Sequence, residues 1–206
     1  MILVTGFWPY KETFNASGEL IESLKNDLPQ ALWEIRNELI FEVLSCDITS
    51  RETEHQTLEA RLLELLHRYR PEMCIFTGQA SLYNRVTIEK IAINSFMEQQ
   101  IDPKRSPAYW SNLPGIDELQ SVLQEQEIPA KYSYECGQLL CNHLLYSSLY
   151  FAESMNLPHK SAFIHIPVLP KQIIHTHPNS ACMPLDMTRK ALAIIIEQVY
   201  KAANKG

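Results

Sequence analysis

The chain predicts an α/β fold: a single-domain α/β/α sandwich with a mostly parallel, twisted central sheet. Three observations lead there. Short apolar runs alternate with amphipathic helical patterns along most of the chain, the order expected of a parallel sheet covered by helices on both faces. Met73-Cys74-Ile75-Phe76-Thr77 is continuously apolar, as suits a central strand buried on both sides. The length of 206 residues, with 46% hydrophobic and 20% charged residues, suits one domain, here 1–206, that buries its own core.

Each element follows from its local pattern. Ile2-Leu3-Val4-Thr5 reads as a first strand entering Gly6, followed by an aromatic loop, Phe7-Trp8-Pro9-Tyr10. From Ser17, apolar residues at Leu20, Ile21, Leu24 and Leu28 share a helical side. Ala31 to Arg36 and Ile40 to Leu44 read as strands around the polar break Asn37-Glu38. Thr49 and Glu52 fit a capping box for a helix whose Leu58, Leu62, Leu65, Leu66 and Tyr69 share a face, closed by Pro71. The strand at Met73 ends in Gly78-Gln79, at the kind of sheet edge where α/β folds carry ligand sites. Val86 to Asn94 reads as a strand whose alternation breaks at Glu89-Lys90, as at a bulge. Residues 95–110 are irregular and polar. Ile116, Leu119, Val122 and Leu123 predict a helix, and Ala130 to Tyr134 a strand. A helix beginning near Cys141 runs through Leu149 and Phe151. Ala162 to Ile166 is a strand, followed by a loop of roughly fifteen residues, long for a compact domain. A last helix is capped by Asp186 and buries Leu192, Ile195, Ile196 and Val199.

Composition excludes several functions. A net charge of −6 argues against a nucleic-acid partner. No apolar run reaches membrane-spanning length, and the first residues carry no signal-peptide pattern. Five cysteines (Cys46, Cys74, Cys136, Cys141, Cys182) without regular spacing do not describe a disulfide framework. The expectation is a cytoplasmic protein in a reducing compartment. A Cys136–Cys141 disulfide is conceivable but disfavoured by that reading.

Cys141 falls in the first turns of its helix, where unpaired amides and the helix dipole stabilise a thiolate. His165 at a strand end and Glu89 at a strand break could supply a base and its orienting group. From the residues alone, Cys141 reads rather as a small core thiol, His165 as a satisfied core histidine and Glu89 as a charge paired with a lysine or arginine. His175-Thr176-His177, with His165 upstream, offers a zinc-hydrolase alternative.

Longer stretches bear on that choice. They are Ile2 to Tyr10; Gly78-Gln79 with Val86-Thr87-Ile88-Glu89-Lys90-Ile91-Ala92-Ile93-Asn94; Ser133, Gly137 and Cys141-Asn142-His143; and Phe163-Ile164-His165-Ile166-Pro167 with Leu169-Pro170 and Gln172. Ala108-Tyr109-Trp110-Ser111 with Leu113-Pro114 adds a fifth. Together they resemble the pyroglutamyl peptidase I (pyrrolidone carboxyl peptidase) family of cysteine peptidases, from Ile2 to about Gln172. The resemblance implies a peptidase that removes an N-terminal pyroglutamyl residue from peptides. Its nucleophile would be Cys141, its base and acid His165, and its orienting group Glu89. Phe7, Tyr10 and Leu139 would be pocket walls and Gln79 a polar contact. It implies no metal or cofactor, and a homo-oligomer, a tetramer in bacterial members. The chain departs from the family pattern at Tyr10, Lys11-Glu12, Ser81, Glu135, Cys136 and Leu139. Those departures raise a second expectation, a weakly catalytic or specificity-shifted protein that binds N-terminal or lactam-like ligands.

Overall fold

The computed structural model describes residues 1–9, 12–45 and 51–205, with only the backbone of residues 51–56. Its strands are β1 (Ile2–Phe7), β2 (Leu39–Leu44), β3 (Met73–Gln79), β4 (Val86–Glu89), β5 (Ile91–Ile93), β6 (Ala108–Trp110), β7 (Ala130–Ser133) and β8 (Lys160–Ile166). Its helices are α1 (Ala16–Asn26), α2 (Arg51–Tyr69), α3 (Leu119–Glu125), α4 (Leu140–Ser154), α5 (Pro170–His175) and α6 (Leu185–Ala203), with a 3-10 helix over Gln30–Glu38.

The main sheet has six strands in the order β2-β1-β3-β8-β4-β7. Strands β2, β1, β3 and β8 run parallel. Strand β4 joins β8 antiparallel, and β7 runs parallel to β4. The sheet is therefore mostly parallel, as expected, with one reversal of direction between β8 and β4.

Alternation along the strands sorts the core into two layers. Ile2, Val4, Met73, Ile75, Ala162, Ile164 and Ile88 point to one face, under α1, α3, α6 and the 3-10 helix. Leu3, Cys74, Phe76 and Phe163 point to the other, under α2 and α4. Helix α1 lies unusually close to β1. A Cβ on Gly6 would sit 2.4 Å from the Ser17 carbonyl oxygen, and one on Gly18 would sit 2.4 Å from the Phe7 carbonyl oxygen. Asn15 caps α1, its side chain accepting from the Ser17 and Gly18 amides.

Several sequence expectations need correction. Ala31 to Arg36 is not a strand but part of the 3-10 helix. With three residues per turn, Leu32 and Ile35 align on one side and are buried, while Trp33 stays exposed and donates to the Leu28 carbonyl. The stretch from Val86 to Asn94 is two strands in two sheets: β4 in the main sheet and β5 in a two-stranded ribbon with β6. The break falls at Lys90, whose amide bonds Ser133 and whose ammonium is paired with Asp117. The expected long loop after β8 contains α5. Asp186 lies in the first turn of α6, where its charge suits the dipole, but the capping position is Pro184. Thr49, of the expected capping box, and Cys46 lie outside the described residues.

Helices α2 and α4 and the 95–107 segment are tied by an ionic cluster. Glu59 pairs with Arg105 at 2.7 Å, accepts from Ser147 at 2.8 Å and lies 3.5 Å from the buried His143. Burial pushes the Glu59 carboxyl up, but hydrogen bonds from His143, Arg105 and Ser147 outweigh it and hold its pKa at about 2.

Two stability effects are expected. Gly6→Ala must push the chain off the α1 backbone and should cost about 1–3 kcal/mol, read as a lower denaturation midpoint. The Glu59 carboxyl is depressed in the fold, so its contribution is present above its ordinary value of about 4.5 and is lost as pH falls through about 2. Glu59→Gln should destabilise the chain at pH 7 by about 3 kcal/mol and flatten the acid side of its stability profile.

Candidate active site

The site is assembled on the face of the sheet that carries α4. Register fixes which side chains meet there. Thr87 lies opposite His165 and Glu89 opposite Phe163, so Glu89 and His165 are diagonal neighbours on one face. On the other side of β8, Gly78 lies opposite His165. A Cβ at Gly78 would come within 2.7 Å of the Phe163 ring and 3.0 Å of Cys141 Sγ. The missing side chain is the space into which the thiol fits.

Cys141 is the second residue of α4 and is partly exposed. The next residue holds that turn in place. Asn142 is fully buried, accepts from the Ile93 amide at 2.9 Å and donates to the carbonyls of Ile93 at 2.9 Å and Ser95 at 2.7 Å. These three bonds lock the start of α4 onto β5 and the residues just after it.

His165 Nδ1 lies 2.8 Å from Glu89 Oε1, and Glu89 is fully buried. With Nδ1 donating to the carboxylate, Nε2 is the ring nitrogen left for the Cys141 thiol. Burial pushes the His165 pKa down. The charge and hydrogen bond of Cys141 and the hydrogen bond and charge of Glu89 overcome it and raise the value to about 9. The arrangement favours an imidazolium beside Cys141 at neutral pH. Phe163 and Tyr83 enclose the imidazole, with ring centroids 4.7 and 5.6 Å away.

A cleft of about 440 Å³ opens over Cys141 and His165, bounded by Gln79 to Tyr83 on one side and Glu135 to Leu139 on the other. Of the expected pocket residues, Gln79 and Leu139 line it. Gln79 Oε1 accepts from the Ala16 amide and from Gln172 Nε2, both at 2.8 Å, which leaves its NH2 group as the end not committed in those bonds. Leu139 is 57% exposed at the start of α4. Phe7 is not among the residues lining this cleft. It is buried at the end of β1 and stacks on Phe163 at 6.5 Å, behind the imidazole. Tyr10 lies outside the described residues.

The zinc alternative built on His175 and His177 is not supported. The segment is not extended: His175 ends α5, and His177 Nε2 lies 3.1 Å from Glu12 Oε1. Among the described residues, the one group of three potential metal ligands is Glu89, Cys136 and His165.

Sequence reasoning assigned no role to Tyr83, Asn142 or Gln172. Tyr83 follows a loop with no pattern of its own. Asn142 and Gln172 stood within the motifs, and a polar residue at an otherwise apolar helix start was the available signal.

Comparison with known proteins gives the family and the fold. The family model described as pyroglutamyl peptidase matches residues 1–202. The chain belongs to the pyroglutamyl peptidase family. Among curated members, it is 30% identical over 214 residues to pyrrolidone-carboxylate peptidase 1 of Caldanaerobacter subterraneus, covering 98% of each chain. It is 31% identical over 208 residues to the pyrrolidone-carboxylate peptidase of Brachyspira hyodysenteriae, covering 95% of this chain and 96% of that one. Among solved structures, a mutant pyrrolidone carboxyl peptidase from Pyrococcus furiosus superposes with a TM-score of 0.82 at 26% identity, over 97% of this chain and 98% of that one. The Thermococcus litoralis enzyme matches in fold, with a TM-score of 0.83 at 24% identity over 99% and 94% of the two chains. The pyroglutamyl peptidase fold thus extends over nearly the whole chain.

Glu89→Gln is expected to lower the His165 pKa from about 9 towards its ordinary value of about 6.5, read by NMR titration of the imidazole. A raised histidine pKa stabilises the fold fully below about 6.5 and loses that contribution as pH rises through 9. Wild-type stability should fall across that window, and the Glu89→Gln profile should be flatter there.

Proposed function

We propose that this chain, acting as one peptidase domain over residues 1–206, removes an N-terminal pyroglutamyl residue from peptides through a Cys141–His165–Glu89 triad. The observation that carries this reading is the 2.8 Å bond from His165 Nδ1 to the buried Glu89, which turns the other ring nitrogen towards Cys141 in a family of pyroglutamyl peptidases.

The chemistry follows from that order. The Cys141 thiolate attacks the carbonyl carbon that links pyroglutamate to the next residue. Negative charge grows on the carbonyl oxygen, and first-turn amides of α4 are the nearest class of donor for it. The His165 imidazolium gives its Nε2 proton to the departing amine, and a thioester forms. Neutral His165 then takes a proton from water as that water attacks the thioester. Collapse of the second tetrahedral species releases pyroglutamate and restores the thiolate and imidazolium. Throughout, Glu89 holds Nδ1–H, so the ring keeps its orientation and tautomer.

The substrate ring is a flat, uncharged lactam, which an apolar wall with few polar anchors suits. Gln79, whose NH2 group is available for a carbonyl, is the proposed anchor. Leu139 and Tyr10 are proposed as walls, and Phe7 as a wall acting from beneath, through Phe163. The irregular cysteine spacing supports a cytoplasmic enzyme, and family likeness supports a metal-free and cofactor-free one with a homo-oligomeric assembly, a tetramer. Neither a nucleic acid nor a membrane is a proposed partner, and among the described residues no helix is long and apolar enough to cross a bilayer.

Release of a fluorophore from a pyroglutamyl amide tests the reading. Cys141→Ala should reduce kcat/KM by at least about 10⁴-fold, and iodoacetamide should abolish wild-type turnover. Equal turnover in the mutant would overturn the mechanism. A folded wild-type chain with no turnover would favour the ligand-binding alternative. In the active enzyme, kcat/KM should decline on the alkaline side near pH 9, where His165 loses the proton it donates.

A further inference from the structure

Cys136 has no part in the reaction, yet it stands inside the catalytic cluster. It lies on the irregular segment between β7 and α4, is only 5% exposed, and shares the cleft with Cys141 and His165. Its Sγ, a ring nitrogen of His165 and a carboxylate oxygen of Glu89 all lie within 4.8 Å of one another. A second observation comes from Glu89. Its Oε2 is buried without a hydrogen-bond partner, while Oε1 is engaged with His165. A buried carboxylate oxygen in that state is a costly, uncompensated acceptor.

We propose that Cys136, His165 and Glu89, with the adjoining Cys141 thiolate, form a chelating site for a thiophilic divalent cation such as Zn²⁺, whose binding reversibly blocks the peptidase. The donors match the ion. Thiolate, imidazole and carboxylate are the ligands zinc takes, at about 2.0–2.3 Å. Donor atoms up to 4.8 Å apart must draw together by about 1 Å around a tetrahedral ion held at those lengths. The loop permits this: Gly137, next to Cys136, has φ +79° and open space where a Cβ would be. The open cleft gives the ion a path.

The binding step balances without a redox partner. The ion displaces the Cys136 thiol proton and the imidazolium proton of His165 into solvent, and bonds form from sulfur and nitrogen to the metal. Because binding releases those protons, it should tighten as pH rises. Occupancy removes both the free thiolate and the proton that the leaving amine needs.

The inhibition readout rests on the peptidase reading, whereas metal binding does not, so the experiment measures both. Wild type, Cys136→Ala and Cys136→Ser are prepared metal-free and reduced with a phosphine. Zn²⁺ affinity is measured by competition with a chromophoric chelator, and Co²⁺ is used to detect thiolate-to-metal charge transfer. Inhibition of pyroglutamyl-amide hydrolysis by Zn²⁺ is scaled to each protein's own metal-free rate. The wild type should bind a single ion per chain, show the charge-transfer band and recover activity on adding EDTA. Both variants should need at least about tenfold more Zn²⁺ for the same occupancy and inhibition, since loss of even an outer-sphere partner costs that much. Equal Zn²⁺ affinity in wild type and both variants, or no ion held by the wild type, would overturn the proposal. A chain with no turnover that still shows the Cys136-dependent zinc and cobalt signals would sustain the metal site while the peptidase reading failed.

Discussion

The bond between His165 Nδ1 and Glu89 Oε1 joins two strands that run in opposite directions, and much of the site's geometry depends on that reversal. Strand β8 belongs to the parallel part of the sheet, and β4 turns back along it. An antiparallel pair sets residues directly across from one another, so Glu89, two positions along from the partner of His165, meets it diagonally on one face. The carboxylate reaches the imidazole at 2.8 Å while fully buried. In that setting its charge is poorly screened, and together with Cys141 it overcomes a desolvation that would otherwise strip the ring of its proton.

The layers around this joint then have constrained roles. On the far face, α1, α3 and α6 cover aliphatic side chains and carry none of the triad. On the near face, α4 must bring Cys141 down onto β8, and two features make room for it. Gly78 offers no side chain where the thiol sits, and Asn142 fixes the first turn of α4 to β5 and to Ser95 through three hydrogen bonds. The Glu59–Arg105 cluster anchors α4 further along, through Ser147. The same closeness that serves catalysis places Cys136 beside the imidazole and the carboxylate. A residue outside the expected family pattern thereby gains a setting in which a thiol can chelate.

Much of this was legible along the chain because the pattern is local. The apolar stripe of α2, the buried run of β3, the break at Lys90 and the helix start at Cys141 each depend on neighbours within a few residues. Ala31 to Arg36 misled because its apolar residues suit alternation as well as a three-residue turn, and only packing against the core chose the turn. The pocket was legible in part. Gln79 and Leu139 reach the cleft, while Phe7 faces the core because Phe163, far along the chain, supplies the surface it stacks on.

The sequence by itself determined the alternating layers, the family and the residue types of a carboxylate, a thiol and an imidazole in chain order. Local periodicity and motif spacing carry that information, and both are written in neighbouring residues. Only the tertiary structure decided that Glu89 meets His165 face to face, that Gly78 leaves the space for Cys141 and that Cys136 joins them. Those contacts depend on strand direction and register between segments roughly 25 to 90 residues apart, which no local pattern encodes.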